Sequence, residues 1–166
     1  MANVTLRGKA QNTSGDLPSV GSLAPDFVLT GASLKDIGLA KFSGMKKLLY
    51  IVPSVDTPVC AKTTIELDEK MAKISDAKAL LISADLPFAL GRFCGEHKLK
   101  NVLPLSIFRS QEFAESYGVL LVDGPLAGLT ARAVLVLDEQ NNVVYSEWVK
   151  EISDAPDFEQ ALQLLI

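Results

Sequence analysis

Three continuous apolar runs, at 48–52, 79–83 and 132–137, organise the chain. Each has the length of a strand and is too short for a core helix, so each predicts a buried central strand. Pro53 closes the first run. Between the first two, Ile65, Leu67, Met71 and Ile74 recur at mostly helical spacing with Lys and Glu between them, which predicts an amphipathic helix. Residues 88–97 and 111–117 predict two more helices. Asn141-Asn142 joins the third run to an extended stretch over 143–148 as a hairpin. Phe158, Ala161, Leu162 and Leu165 share one face of a closing helix over 157–166.

The N-terminal part has a different rhythm. Residues 4–7 alternate weakly, and Gly8-Lys9 turns them into a second short strand over 10–13, an N-terminal β-hairpin extension. Residues 15–25 are rich in Gly, Ser and Pro and predict a loop; 26–30 predict extended chain. No repeat or linker divides the 166 residues, so a single domain over 1–166 is expected. Strands alternating with helices, then a hairpin and a helix, predict the α/β class: a central mixed β-sheet flanked by helices on both faces, in thioredoxin-like order.

Composition narrows the function classes. The chain is 48% hydrophobic and 22% charged, with a formal net charge of −4. That suits an ordered globular protein and counts against a binder of nucleic acid backbones. Charges interrupt every apolar stretch before the ~18 residues a membrane-spanning helix needs. The N-terminus lacks the charged lead and apolar block of a secretory signal, so a cytoplasmic location is expected. Cys60 and Cys94 are the two cysteines and His97 the one histidine. A disulfide scaffold and a four-cysteine zinc site are excluded, and no CxxC pair supports a mixed one, so no zinc site is expected.

The chemistry concentrates at Pro53-Ser54-Val55-Asp56-Thr57-Pro58-Val59-Cys60, between a predicted buried strand and a predicted helix. Thr57 is a favoured N-cap and Pro58 then falls at the first helical position, which puts Cys60 at the third. Free N–H groups and the positive helix end favour a thiolate there. The alternative is an inert core cysteine, but open α/β sheets carry their sites at strand C-terminal ends. Activation alone is a small lever. Lowering a thiol's pKa from ~8.5 to ~6 raises its thiolate fraction at pH 7 roughly 30-fold while intrinsic nucleophilicity falls about tenfold. The remaining gain of about threefold requires other groups to stabilise the bond being broken. The Thr57 hydroxyl is one candidate. Arg132, at the start of an apolar strand, is the other: its fixed donors can hold both a sulfur and an attacked oxygen, unless it is merely an edge cation paired with a carboxylate. Cys94 is either a second core cysteine or the thiol that resolves an oxidised Cys60 across the fold. His97, three residues beyond Cys94, is either a solvated side chain on a charged helix or part of a Cys–His nucleophile pair.

Pro53-x-x-x-Thr57-x-x-Cys60 with a distant Arg132 resembles the peroxiredoxin active-site pattern. The fuller resemblance is to bacterial thiol peroxidase, the atypical two-cysteine branch of the peroxiredoxin family, and it spans nearly the whole chain. Ala24-Pro25-Asp26-Phe27, Ser83-Ala84-Asp85-Leu86-Pro87-Phe88-Ala89, Arg92-Phe93-Cys94, Tyr117-Gly118-Val119, Asp123-Gly124-Pro125-Leu126 and Ala131-Arg132-Ala133-Val134 carry it in order. The resemblance implies a thioredoxin fold with a peroxidatic Cys60 and a resolving Cys94 that form an intramolecular disulfide. It implies that Thr57 and Arg132 position the peroxide and that Pro53 shields the sulfur. It further implies a homodimer, thioredoxin as reductant, organic hydroperoxides and hydrogen peroxide as substrates, a role in antioxidant defence, and no metal, haem or flavin. Family members often carry a basic residue and then an aromatic further along the catalytic helix, where this chain has Ile65, Glu66 and Leu67. That departure bears on helix packing or substrate preference. Competing readings are a thiol–disulfide oxidoreductase or chaperone, a binding module with inert cysteines, and a cysteine hydrolase using His97.

Overall fold

The computed structural model describes residues 2–166. A two-stranded antiparallel hairpin, β1 (Ala2–Leu6) and β2 (Lys9–Asn12), precedes the main body. The main sheet contains β3 (Val28–Gly31), β4 (Asp36–Gly38), β5 (Lys46–Ile51), β6 (Ala77–Ser83), β7 (Val102–Ser106), β8 (Ala133–Leu137) and β9 (Val143–Trp148). Its spatial order is β4-β3-β7-β6-β5-β8-β9. β5, β6 and β7 pair in parallel and the other neighbours antiparallel, so the sheet is mixed. The helices are α1 (Pro58–Met71), α2 (Pro87–Glu96), α3 (Gln111–Ser116) and α4 (Glu159–Gln163).

The period-two alternation of the central strands splits the core into two layers. Leu49 and Ile51 of β5 and Leu80 and Ile82 of β6 pack with Phe113 and Tyr117 from the α3 side. Leu48, Tyr50 and Val52, with Leu81 and Val134, pack with Leu67 and Met71 of α1, Phe93 of α2 and Ala161 of α4. Tyr50 therefore points beneath α1. Its neighbours in sequence point to the opposite layer, because adjacent strand residues face opposite ways.

The main strands and α1 to α3 match the sequence pattern, and four details differ. The hairpin turn is Arg7-Gly8 rather than Gly8-Lys9. Arg7 has φ 51° and Gly8 φ 79°, the double positive φ of a type I′ turn, and Lys9 pairs with Leu6 in the ladder. β7 escapes the pattern because Pro104 interrupts it. Within β7, β3 pairs with Leu105 and Ser106 alone, so the proline has no β3 partner. The three-residue β4 carries too few positions to alternate. The closing helix is shorter than 157–166: α4 covers five residues, although Phe158, Ala161, Leu162 and Leu165 are all buried as the apolar face requires.

Glu151 holds the hairpin against the main body. Its carboxylate accepts from the Thr5 hydroxyl at 3.0 Å and the Gly8 N–H at 2.9 Å, and from the Ser153 N–H at 3.1 Å and hydroxyl at 2.8 Å. Thr5 N–H donates to the Lys150 carbonyl at 2.7 Å and Ile152 N–H to the Thr5 carbonyl at 2.9 Å. The backbone donors from Gly8 and Ser153, then the Ser153 hydroxyl, push the Glu151 carboxyl down to about 2 from 4.5. A depressed carboxyl stabilises the fold in full above its unfolded value, and the contribution is lost as pH falls. The window here runs from 4.5 down to about 2. In an NMR titration the Glu151 carboxyl should therefore titrate near pH 2, and Glu151→Gln should raise amide exchange at Thr5 and Gly8 selectively. A midpoint near 4.5, with unchanged exchange in the variant, would contradict this anchoring.

Candidate active site

The site forms where β5 and β8, antiparallel neighbours, meet the start of α1. The chain leaves the sheet through Val52, whose N–H donates to the Ile82 carbonyl at 2.9 Å and whose carbonyl accepts from the Thr130 hydroxyl at 2.7 Å. Pro53 follows, buried. The Asp85 carboxylate then fixes the loop, accepting from the Ser54 hydroxyl at 2.7 Å, the Val55 N–H at 2.8 Å and the Ser83 hydroxyl at 2.7 Å. Thr57 is the N-cap residue with extended backbone and Pro58 opens α1, as the sequence predicts. The Thr57 hydroxyl makes no capping bond, however; it donates to the Ser54 carbonyl at 3.1 Å. The proline already removes one helix N–H that would otherwise need a partner.

Cys60 lies in the first turn of α1 and is fully buried. Its Sγ accepts from Arg132 Nη1 at 2.9 Å. The same nitrogen donates to the Tyr50 hydroxyl at 2.9 Å, and Nε donates to the Ile152 carbonyl at 3.1 Å. Tyr50 and Thr63 hydroxyls lie 2.7 Å apart. The Thr63 hydroxyl also lies 2.8 Å from the Val59 carbonyl, and Thr64 donates to the Cys60 carbonyl at 2.6 Å. Arg132 is no edge cation: it is 1% exposed and forms no ion pair with a carboxylate among the described residues. Burial works against its charge, yet Tyr50 and Cys60 hold the guanidinium above its ordinary value. Burial pushes the Tyr50 phenol up, so it stays protonated at neutral pH.

Arg132 has five N–H donors, of which three are committed to Ile152, Tyr50 and Cys60. Nη2 bonds to no described residue. Arg132 belongs to the wall of a cavity of about 280 Å³ lined also by Pro53, Ser54, Thr57, Leu126, Leu129 and Ile152. Leu6 and Arg7 add the N-terminal hairpin to this wall. The lining is mostly apolar, and one of its polar members, Arg132, is bonded to the buried Cys60 sulfur. A small oxygen-bearing ligand with an apolar substituent fits that distribution of polarity.

Both cysteines are free. Cys94 sits on α2, half-buried against the same core layer as Cys60. Burial, and then the Asp68 carboxylate, push its thiol up to about 11. Arg92 of α2 pairs with Asp56 of the active-site loop at 2.9 Å, an exposed bridge of small energetic value. His97 is exposed, with its ring 4.7 Å from that of Phe93, and it bonds to neither cysteine. The structure thus brings Pro53, Thr57, Cys60 and Arg132 together and leaves His97 out. Ile65 is half-buried, Glu66 exposed and Leu67 buried, so among the described residues Arg132 is the one cation bonded to the sulfur. No cluster of three or more His, Cys, Asp or Glu placed to hold a metal occurs among the described residues. Sequence reasoning missed Tyr50, Thr63 and Asp85. The phenol end of Tyr50 inside an apolar run was the available signal, and so were two threonines at three and four residues past the cysteine.

A raised thiol pKa keeps Cys94 neutral at pH 7. In folded, reduced protein carrying Cys60→Ser, alkylation of Cys94 by iodoacetamide should rise with pH toward a midpoint near 11. At pH 8 it should be slower than that of free cysteine. A midpoint at the ordinary value of 9.0 would contradict the burial of this thiol.

Comparison with known proteins points the same way as this geometry. The Redoxin family profile matches residues 19–163. The chain is 52% identical over 165 residues to a thiol peroxidase of Mycobacterium tuberculosis (strain ATCC 25618 / H37Rv), covering 99% of each. Its fold superposes on a peroxiredoxin-like protein from Aquifex aeolicus with a TM-score of 0.94 and 33% identity, over 99% of this chain and 96% of that one. For a thiol peroxidase from Chromobacterium violaceum the TM-score is 0.90 with 32% identity, over 98% of this chain and 94% of that one. With the match running nearly end to end and the Pro53, Thr57, Cys60 and Arg132 cluster assembled beyond the end of β5, the chain belongs to the Redoxin family, among the thiol peroxidases of the peroxiredoxin type.

Proposed function

We propose that the chain, acting as one domain over 1–166, reduces organic hydroperoxides and hydrogen peroxide in antioxidant defence, with Cys60 as the attacking sulfur and Cys94 as the resolving thiol. The observation that carries this reading is the 2.9 Å contact between Cys60 Sγ and Nη1 of Arg132, a residue that also lines a mostly apolar cavity. The cation favours ionised sulfur. The free Nη2 donors supply hydrogen bonds to the peroxide where negative charge grows, and the Thr57 oxygen, its own proton on the Ser54 carbonyl, accepts from the peroxide O–H and positions it. Pro53 helps keep water from the sulfur.

The sulfur attacks the terminal peroxide oxygen and the O–O bond breaks. The departing alkoxide takes a proton from water and leaves as an alcohol, while Cys60 becomes a sulfenic acid. Cys94 then attacks that sulfur, expelling its oxygen as water and forming a disulfide. Thioredoxin, the proposed reductant, returns both thiols through two exchange steps. No metal, haem or flavin takes part. The ordinary place for such a cycle is the reducing cytoplasm.

Resolution requires movement. Both cysteines are free, and Cys60 is fully buried with its sulfur held by Arg132. A disulfide needs Cα atoms within about 7 Å. In this reading the first turn of α1 and the Cys94 segment open in each cycle, which also exposes the neutral Cys94 thiol and lets it ionise. The proposed homodimer is supported by apolar side chains facing solvent at α2 and after β7: Phe88 is 68% exposed, Leu86 54% and Phe108 40%.

One equivalent of cumene hydroperoxide, followed by thiol counting and intact mass, tests the reading. Both thiols should disappear with a loss of about two daltons, and Cys94→Ser should stop at a sulfenate. Cys60→Ser should abolish the reaction. Survival of both thiols under conditions that oxidise a free small thiol would sink it.

A further inference from the structure

We propose that Tyr50 is a positioning residue for peroxide reduction, its hydroxyl joining the Arg132 guanidinium to the α1 turn that carries Cys60. The proposal rests on Cys60 as the attacking sulfur. It concerns a fully buried residue that is not part of the cavity wall and touches no substrate.

The direction of every hydrogen bond in this network follows from what each group can do. Arg132 Nη1 only donates, so the Tyr50 oxygen accepts from it at 2.9 Å. The Thr63 oxygen lies 2.8 Å from the Val59 carbonyl and 3.3 Å from the Cys60 carbonyl, and carbonyls only accept. The Thr63 proton is therefore committed to helix backbone. In the 2.7 Å contact between the two hydroxyls, Tyr50 must then donate and Thr63 accept. The chain of donation runs Arg132 to Tyr50 to Thr63 to Val59, and it ends one residue before the reactive cysteine. Successive bonds of one polarity in a buried site strengthen each other.

This chain ties the two reacting partners together. Nη1 has two protons. One goes to Tyr50 and the other to Cys60 Sγ, so the phenol oxygen sets the rotation of the guanidinium plane that aims at the sulfur. The same rotation sets where the free Nη2 donors point in the cavity. Arg132 has no carboxylate among the described residues to orient it, and no second cation supports the sulfur. Tyr50 is fully buried, and its ring meets the Phe158 ring edge-on at 5.0 Å. Ring packing therefore holds the side chain in place independently of its hydroxyl, and Tyr50→Phe removes one oxygen from an otherwise retained packing arrangement.

The readout is the ratio of two second-order rates at Cys60, oxidation by cumene hydroperoxide and alkylation by iodoacetamide, measured in a Cys94→Ser background. Alkylation reports the state and access of the sulfur; only peroxide reduction also needs donors aimed at the leaving oxygen. Losing an aligned charge-assisted bond corresponds to about tenfold or more in rate. We expect the ratio to fall about tenfold in Tyr50→Phe and in Thr63→Val, to stay at the parent value in Thr63→Ser, and to fall no further in the Tyr50→Phe/Thr63→Val double variant. Thr63 supplies the same test if Tyr50→Phe does not fold. A ratio within about threefold of the parent in Tyr50→Phe or Thr63→Val, whatever the melting temperature does, would assign the network a purely structural role and overturn the proposal. No peroxide oxidation at Cys60 with Tyr50 intact would overturn both this proposal and the site reading on which it rests.

Discussion

A guanidinium buried to 1% exposure, with a sulfur among its hydrogen-bond acceptors, is the constraint on which the rest of the site depends. Removing a cation from water costs several kcal/mol unless its partners compensate. Arg132 finds a carbonyl, a phenol and Cys60 Sγ, and no carboxylate among the described residues. Cys60 Sγ is the reactive group among these partners. A carboxylate in its place would neutralise the cation permanently and leave it less able to stabilise either a thiolate or an attacked oxygen. The same burial raises the effective strength of the remaining Nη2 donors, since electrostatic interactions grow as water is excluded.

The fold meets this requirement through the pairing of its central strands. Tyr50 pairs with Val134 and Ile51 with Ala133 across the antiparallel β5–β8 ladder, which brings Arg132 beside the end of β5. The chain then turns at Pro53 and enters α1, so cation and thiol converge from two different strands' ends. Asp85, after β6, fixes the connecting loop, and the hairpin closes the outer wall through Leu6 and Arg7. The same first turn of α1 must open for a disulfide to form. Geometry suited to peroxide attack and geometry suited to resolution are thus alternative states of one short segment, and the hydrogen bonds of Thr63 and Thr64 to the Val59 and Cys60 carbonyls favour the first.

Much of this was legible in the sequence, for local reasons. A buried strand, a proline, a Thr-Pro helix start and a cysteine at the third helical position are neighbours in the chain, and backbone rules place them without tertiary information. Arg132 was legible as an oddity at the start of an apolar strand. Tyr50 was not, because an aromatic in a strand run is ordinary core and its hydroxyl acquires meaning only from Arg132, which lies 82 residues away. Thr63 reads as a common helix residue. Asp85 acts through hydrogen bonds to a loop about thirty residues earlier, which no local pattern encodes. Thr57 shows the opposite case: its cap position follows from the sequence, but its hydroxyl turns back to Ser54. β7 carries no strand signal and α4 is shorter than its apolar face suggests, for tertiary reasons too, since sheet pairing tolerates Pro104 and packing alone decides where a terminal helix frays.

The most direct test of the account is the second-order rate of Cys60 oxidation by a hydroperoxide in Arg132→Lys, with folding checked by circular dichroism. Lysine keeps the charge but is a point donor; it cannot serve the sulfur, the Tyr50 hydroxyl, the Ile152 carbonyl and a bound oxygen from one fixed plane. The account predicts a loss of about 100-fold or more in a folded protein, the scale of removing an aligned transition-state donor. A rate within about threefold of the parent would mean that positive charge alone suffices, and that the fork of Arg132 is not what organises this site.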